Sequence, residues 1–155
     1  EIGVRLVGSE MCIRDRGRVV YFDHVDMLTP IKVKENGRFF TIRLPWNTDF
    51  QTFYTTAKAI INDIDPNGNP YDMEKVGGKD LLDVILLSAT PDLYFTSLTC
   101  TQEHRHGSNY PLMNAGKAIL KEGKLVMPIA MTIHHGFIDG HHLSLFYKKV
   151  EEFLK

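Results

Sequence analysis

The sequence predicts an α+β fold in which a mixed sheet carries helices packed on it. Several short segments have the β-branched and aromatic composition of strands, and two longer stretches repeat their apolar residues at helical spacing. The strands come in runs that the two helices interrupt, which is the pattern of an α+β or mixed-sheet sandwich. A length of 155 residues fits one domain with a single core.

The first strands are predicted around a hairpin. Arg18–Phe22 is a short β-branched and aromatic run, and a turn-like segment follows at residues 23–26. Residues 31–34 alternate apolar and charged, as a half-buried strand does. Asn36 and Gly37 supply a turn that tolerates positive φ, and residues 38–44 return as the second strand.

Residues 47–64 are predicted to form the first helix. Its apolar residues fall on one continuous face, with Asn47 or Thr48 as the N-cap and Asp49 favourably placed for the helix dipole. Residues 65–70 consist mostly of turn-forming types and end the helix. The second helix is predicted over residues 143–154, where apolar residues recur at the same spacing.

The segments between the helices are less uniform. Residues 80–88 fit a short helix or a buried strand equally well. Residues 93–101 have the composition of a strand, and residues 102–110 are polar and indicate a loop. Residues 124–133 are almost continuously apolar, which predicts a strand buried on both faces.

Composition narrows the range of functions. Eighteen basic and nineteen acidic side chains leave a net charge of -1, which argues against a nucleic-acid or anionic-membrane surface. No apolar stretch reaches the ~20 residues that span a bilayer. Cys12 and Cys100 are the two cysteines, so neither a disulfide framework nor a CxxC metal pair is expected. These features predict a cytoplasmic protein.

Residues 134–142 form the segment with the most side chains suited to catalysis. His134 and His135 follow the predicted buried strand, and histidine is the side chain best suited to general-base catalysis near neutral pH. Asp139 is not expected to reach the His135 ring in an extended turn, which makes it a structural acid that seeks a basic partner elsewhere. Two alternatives stay open: a metal site that includes His141 and His142, and a polar turn without chemistry.

Residues 1–16 are set apart from the fold. They resemble translated sequencing-adapter text and have neither a period of two nor one of 3.6. We therefore expect a non-native leader at 1–16 and a single domain at 17–155, with Cys100 as the only native cysteine.

The segment from His134 to Gly140 resembles the HHxxxDG motif of chloramphenicol acetyltransferases and of the wider CoA-dependent acyltransferase superfamily. Several other segments are similar to the same family in sequence and spacing: residues 95–97, 110–112, 116–117 and 122–124, and Pro128. Residues 17–155 resemble the C-terminal two-thirds or so of a type A chloramphenicol acetyltransferase. The resemblance implies the α+β two-layer sandwich of this superfamily.

The resemblance also implies roles for individual residues. His135 matches the catalytic base, Asp139 the structural acid, and Ser97 the hydroxyl that stabilises the oxyanion. Asn114 matches a polar position near the tetrahedral intermediate, and Lys117 a position near the CoA channel. The implied reaction is direct acetyl transfer from acetyl-CoA, without a metal, to chloramphenicol or a similar hydroxylated acceptor.

The implied assembly is a homotrimer whose active sites lie between subunits. The rival functions are transfer to another alcohol and a non-catalytic binding domain of the same fold.

Other reactive or aromatic side chains are assigned to structure. Cys100 is expected to be a small core residue. His104 and His106 are expected to be solvated in the polar loop. Trp46 and the pair Phe39 and Phe40 are expected in the core rather than in the lining of an acyl-acceptor pocket, because aromatic side chains dominate core burial.

Overall fold

The computed structural model describes residues 11–15, 18–72, 74–77, 83–100 and 110–154. In chain order the elements are β1 (Met11–Asp15), β2 (Arg18–Phe22), β3 (Asp26–Lys32), β4 (Phe39–Leu44), α1 (Phe50–Asn62), β5 (Val84–Ala89), β6 (Leu112–Ala115), β7 (Ile119–Lys121), β8 (Lys124–Val126), β9 (Ile129–Thr132) and α2 (Gly140–Phe153).

Five strands form the central sheet in the order β4-β3-β5-β6-β9. The pairs β3–β5 and β5–β6 are parallel, while β3–β4 and β6–β9 are antiparallel. The sheet is therefore mixed, as predicted. Two short antiparallel ribbons, β1–β2 and β7–β8, stand beside it.

The core lies around the first residues of strands β3 and β5. Val84 is fully buried and packs with Leu28 and Val76, and Val25 forms a neighbouring cluster. Tyr110 contacts both clusters. Burial of these side chains from three separate parts of the chain ties the hairpin, the loop after α1 and the central strands together.

The predicted β3–β4 hairpin is present. Gly37 has φ 69° and its N–H donates to the Val33 carbonyl at 2.9 Å, while Asn36 Oδ1 accepts the Arg38 N–H at 2.9 Å. The left-handed conformation explains the glycine at this position. The first strand begins at Asp26, earlier than the predicted residue 31, because its amino end pairs with β5.

Helix α1 is shorter than the predicted 47–64, and its N-cap is Asp49 rather than Asn47 or Thr48. Asp49 Oδ2 accepts the Thr52 N–H at 2.7 Å, and Asn47 Oδ1 accepts the Asp49 N–H at 2.8 Å. The helix packs on β4 but buries only Ala57, and Phe50 is 74% exposed. The apolar face that the spacing predicts is therefore only partly covered in the single chain.

Two predicted strands are wrong. Of residues 93–101, the described part up to Cys100 is irregular. Residues 124–133 form two strands rather than one, because Pro128 has no N–H for a ladder bond, and Leu125 is 75% exposed rather than buried. The ambiguous segment at residues 80–88 contributes to strand β5, of which Val84 is the buried first residue.

The predicted assignment of aromatic residues to the core holds for Phe40, which is 6% exposed, and is wrong for Phe39 and Trp46, which are 56% and 47% exposed. Phe39 and Phe40 are adjacent in β4, so their side chains point to opposite faces of the sheet. Cys100 is half-buried and free. His104 and His106 lie outside the described residues.

Residues 11–15, which the sequence analysis sets apart from the fold, pair with β2 from Met11 opposite Phe22 to Asp15 opposite Arg18. A backbone ribbon of this kind forms without an alternating side-chain pattern, because its hydrogen bonds come from the main chain. That residues 1–16 are a non-native leader stays a prediction.

Candidate active site

His135 lies in a tight turn between β9 and α2. The His134 carbonyl accepts the N–H of Phe137 at 3.0 Å and that of Ile138 at 3.2 Å, and His134 Nδ1 accepts the Gly136 N–H at 3.1 Å. The His135 side chain is exposed. The fold therefore presents an imidazole on a constrained turn at the surface, where it can meet a ligand or another subunit.

Asp139 is the N-cap of α2. Its Oδ1 accepts the His142 N–H at 3.0 Å, and its own N–H lies 3.2 Å from His142 Nδ1, which completes a capping box. His142 Nδ1 is also 2.7 Å from Asp139 Oδ1. When the His142 ring is neutral with no proton on Nδ1, this nitrogen accepts the Asp139 N–H. When the ring is protonated, Nδ1 donates to the Asp139 carboxylate.

The charge of Asp139 is stabilised by this position. The N–H of His142 is the largest cause that holds the pKa of Asp139 below its usual value, and desolvation acts in the opposite direction. The prediction that Asp139 does not reach the His135 ring is compatible with this arrangement. The described partner of Asp139 is His142, in the first turn of α2. Among the residues that the structure describes, the carboxylate bonds to the first turn of the helix that follows.

Helix α2 runs back along β9. The Tyr147 hydroxyl donates to the Ile129 carbonyl at 3.2 Å, at the first residue of the strand, while Gly140 starts the helix just beyond the strand's last residue, Thr132. Burial raises the pKa of Tyr147, so it stays a hydrogen-bond donor at neutral pH. Both ends of the His135 turn are therefore attached to regular structure.

Asn114 is the most deeply buried of the candidate site residues. It is 3% exposed in the middle of the sheet, with Ser88 of β5 on one side and Ala130 of β9 on the other. The short strand β6 that carries Asn114 is not predicted from the sequence.

Lys117 and the segment that leads to Ser97 meet at the carboxyl end of β6. The Lys117 N–H donates to the Leu93 carbonyl at 2.7 Å. Gly116 allows this approach, since a Cβ there would lie 2.7 Å from the Phe95 ring and 2.8 Å from the Leu93 oxygen. Ser97 and Lys117 are both exposed.

The register of β6 and β9 separates the candidate residues into two groups. Leu112 faces Thr132 at one end of the pair, and Ala115 faces Ile129 at the other, a separation of ~10 Å. The turn with His135 follows Thr132, whereas Lys117 and the Ser97 segment are anchored beside Ala115. The structure brings Lys117 next to Leu93, at the start of the segment that leads to Ser97. The His135 turn lies at the opposite end of β6 and β9.

The sequence analysis missed two features of the site. The capping role of Asp139 could have been found from Asp-Gly immediately before an amphipathic run, which is a typical helix start. The ring of His142 as the reciprocal acceptor has a weaker signal, because Glu or Gln is the usual residue at that position.

The described residues show neither of two further features. Among them, no group of three or more His, Cys, Asp or Glu side chains is placed to hold one metal ion. No helix that the structure describes is long and apolar enough to cross a membrane.

A cavity of about 190 Å³ lies between the end of α1, β4 and the loop after α1. Its lining includes Phe40, Arg43, Ile60, Asp63 and Asp72, and none of the candidate site residues.

Comparison with known proteins identifies a family that the chain matches over most of its length. A family model for chloramphenicol acetyltransferase matches residues 7–151. The chloramphenicol acetyltransferases of Clostridium butyricum and Clostridium perfringens are 27% and 24% identical to the chain, over 92% and 91% of its length. The chain spans 63% of the length of each of these two relatives.

Solved structures agree with the family model. A chloramphenicol acetyltransferase with 66% identity superposes with a TM-score of 0.80, over 90% of this chain and 65% of the other. A dihydrolipoamide acetyltransferase of Azotobacter vinelandii has the same fold at 14% identity, with a TM-score of 0.66 over 92% of this chain and 59% of the other. The predicted α+β fold of the CoA-dependent acyltransferase type is confirmed.

Proposed function

Because this chain belongs to the chloramphenicol acetyltransferase family, we propose that it transfers an acetyl group from acetyl-CoA to a hydroxyl of chloramphenicol or a similar small acceptor. The observation that carries the proposal is the position of His135 on a surface turn held by β9 and by the capped start of α2. The related proteins are themselves called chloramphenicol acetyltransferases. The type A assignment remains a prediction.

His135 acts as the general base. Its imidazole takes the proton of the acceptor hydroxyl while the oxygen attacks the thioester carbonyl, and the tetrahedral intermediate then expels CoA, whose sulfur takes the proton. A correctly placed base contributes about 10²–10⁴ in rate. The transfer is direct, so no acyl-enzyme is formed.

Ser97 stabilises the negative charge that develops on the thioester oxygen, and Asn114 lies near the tetrahedral intermediate. One hydrogen-bond donor aimed at such an oxyanion lowers the barrier by about 2.7–4 kcal/mol. The exposed side chain of Ser97 is available to a ligand, and burial of Asn114 in the sheet holds its backbone rigidly. Lys117, exposed beside the Ser97 segment, lies near the CoA channel.

The active site is shared between subunits of a homotrimer. The separation of the two groups along β6 and β9 supports this arrangement, in which a neighbouring subunit supplies Ser97, Asn114 and Lys117 opposite the His135 of the first. Asp139 is the structural acid that fixes the start of α2 beneath the base. The protein works without a metal, in the cytoplasm, and its partners are acetyl-CoA and the acceptor rather than nucleic acid or membrane.

Release of CoA thiol from acetyl-CoA with chloramphenicol tests the proposal. We expect acceptor-dependent release by the wild type and a loss of about 10²-fold or more in His135→Ala. The exposed His141 of the first turn of α2 provides the control, His141→Ala, which should stay within about threefold of the wild type because a surface substitution seldom disturbs the fold.

The same assay separates the rival functions. Release with another alcohol but not with chloramphenicol would identify a related acyltransferase with a different acceptor. Binding of acetyl-CoA without release in the presence of any acceptor would identify a non-catalytic domain of the same fold. Release that survives in His135→Ala would contradict the assigned base.

A further inference from the structure

We propose that His134 is a positioning residue for the base: its imidazole accepts the N–H of Gly136 and thereby holds the turn from which His135 projects. The inference rests on the proposed function, because it takes His135 as the base. It assigns a role to His134, the first histidine of the pair, which the reaction itself does not use.

The bond from Gly136 N–H to His134 Nδ1 is 3.1 Å long and spans two residues. It is the imidazole version of an Asx turn, in which Asn or Asp accepts the N–H two residues ahead. Acceptance requires a bare Nδ1, so the proton of the neutral ring is on Nε2. Together with its carbonyl, which accepts from Phe137 and Ile138, His134 receives three successive N–H groups of the turn.

The His134 ring lies close to Gly136 and against Phe137. A Cβ at Gly136 would lie 2.9 Å from Cε1 and 3.0 Å from Nδ1 of the ring, which is closer than side chains normally approach. The φ of Gly136 is outside the left-handed region, so the ring rather than the backbone angle requires glycine there. The ring also packs on Phe137, with centroids 5.1 Å apart.

His135 is thus held between two fixed ends, the His134 ring and the capping box of Asp139 with His142. Removal of the Nδ1 acceptor frees the Gly136 N–H and lets the turn rearrange. A small displacement of a base lowers the rate steeply while the binding of substrates elsewhere is unaffected.

Two substitutions distinguish the contribution of the Nδ1 acceptor from that of the His134 ring. His134→Asn keeps an acceptor at the same distance from the backbone and removes the ring; His134→Phe keeps the ring and removes the acceptor. We expect kcat of His134→Asn within about threefold of the wild type. For His134→Phe we expect a loss of about 10–100-fold in kcat with the KM for acetyl-CoA changed less than about twofold.

Gly136→Ala displaces the ring and should lower kcat as His134→Phe does. A His134→Phe enzyme as fast as the wild type, or a His134→Asn enzyme as slow as His134→Phe, would overturn the proposal.

NMR spectroscopy tests the same bond without activity. We expect the ¹⁵N spectrum of wild-type His134 above neutral pH to show a bare Nδ1, and the Gly136 amide to exchange more slowly in the wild type and His134→Asn than in His134→Phe. A proton on Nδ1, or equal exchange in all three proteins, overturns the inference. If His134→Phe does not fold, the wild-type ring spectrum and the kcat of His134→Asn decide. A wild type with a protected Gly136 amide and no acetyl transfer contradicts only the proposed function.

Discussion

The carboxylate of Asp139 connects the chemistry of the site to the start of a helix. Its Oδ1 accepts the His142 N–H at the positive end of the α2 dipole, and this bond is the first cause of the lowered pKa of Asp139. A carboxylate whose pKa is lowered by folding stabilises the folded state above its unfolded pKa. That contribution is lost as the pH falls through the folded value.

Asp139→Asn tests this linkage. Asn is also a good N-cap, so the variant should fold, but it lacks the charge that favours the dipole. In thermal denaturation at pH 7, we expect the melting temperature of the wild type to be higher than that of Asp139→Asn. The difference between the two melting temperatures should close as the pH falls below 3.8, the ordinary pKa of Asp, towards the lower folded pKa. Asp139→Ala, which loses the cap, should be the least stable at pH 7. A gap between wild type and Asn that is independent of pH would contradict the linkage.

For single residues, the sequence predicts position along the fold better than it predicts hydrogen-bond partners. The pair of histidines after an apolar run identifies the turn with His135, and the structure places that imidazole at the surface. The prediction for Asp139 names a basic partner and omits the main-chain N–H three residues ahead, which the carboxylate accepts.

At the scale of elements, one arginine joins two strands, the residue before a third strand and a loop. Arg43 of β4 donates from Nε to Asp26 of β3 and from a terminal nitrogen to Asp83 just before β5, both at 2.6 Å. A further nitrogen of the guanidinium lies 3.4 Å from the Val76 carbonyl. A planar fork with several donors suits this arrangement, and Lys does not reproduce it.

Arg43→Met should therefore lower the free energy of unfolding by about 1–2 kcal/mol, because two partly buried carboxylates lose their hydrogen-bond donor. Urea denaturation followed by circular dichroism measures the change. The free energy of unfolding of Arg43→Lys should lie between those of the wild type and Arg43→Met. The exposed Lys34→Met serves as the control and should shift stability by less than about 0.5 kcal/mol. Equal midpoints for Arg43→Met and the wild type would show that the fork does not stabilise the sheet.

Elements are predictable where their signals are local. The hairpin turn at Asn36 and Gly37 and the helix α1 depend on residues a few positions apart, and both are present, although the apolar face of α1 is only partly covered. The strand expected at residues 93–101 fails because the Leu93 carbonyl bonds to Lys117 in an isolated contact rather than in a ladder. Strand composition describes fit to a half-buried surface, so it cannot tell which segments find a neighbour.

At the scale of the whole molecule, the order of the sheet decides which candidate residues can cooperate. That order, β4-β3-β5-β6-β9, depends on contacts between distant segments, and no single-sequence pattern predicts it. It places the His135 turn and the anchor of the Ser97 segment at opposite ends of β6 and β9. Helix α2 has no buried residue in the single chain, and Phe153 and Leu154 at its end are 86% and 74% exposed. Apolar exposure of this kind fits burial against another subunit.

Mixing two inactive variants tests whether the site is shared. If each site takes its base from one subunit and its oxyanion donor from the next, trimers assembled from His135→Ala and Ser97→Ala chains in equal amounts contain sites in which both residues are intact. Random assembly in a closed ring makes about a quarter of the sites intact, so we expect co-expressed chains to recover about a quarter of the wild-type CoA release. Each variant alone should be at least about 10²-fold slower than the wild type. Recovery no greater than the sum of the two variants, in particles that sedimentation shows to be trimers, would instead place both residues in the same subunit's site. The chain would then have to bring the Ser97 segment back along β6 to His135.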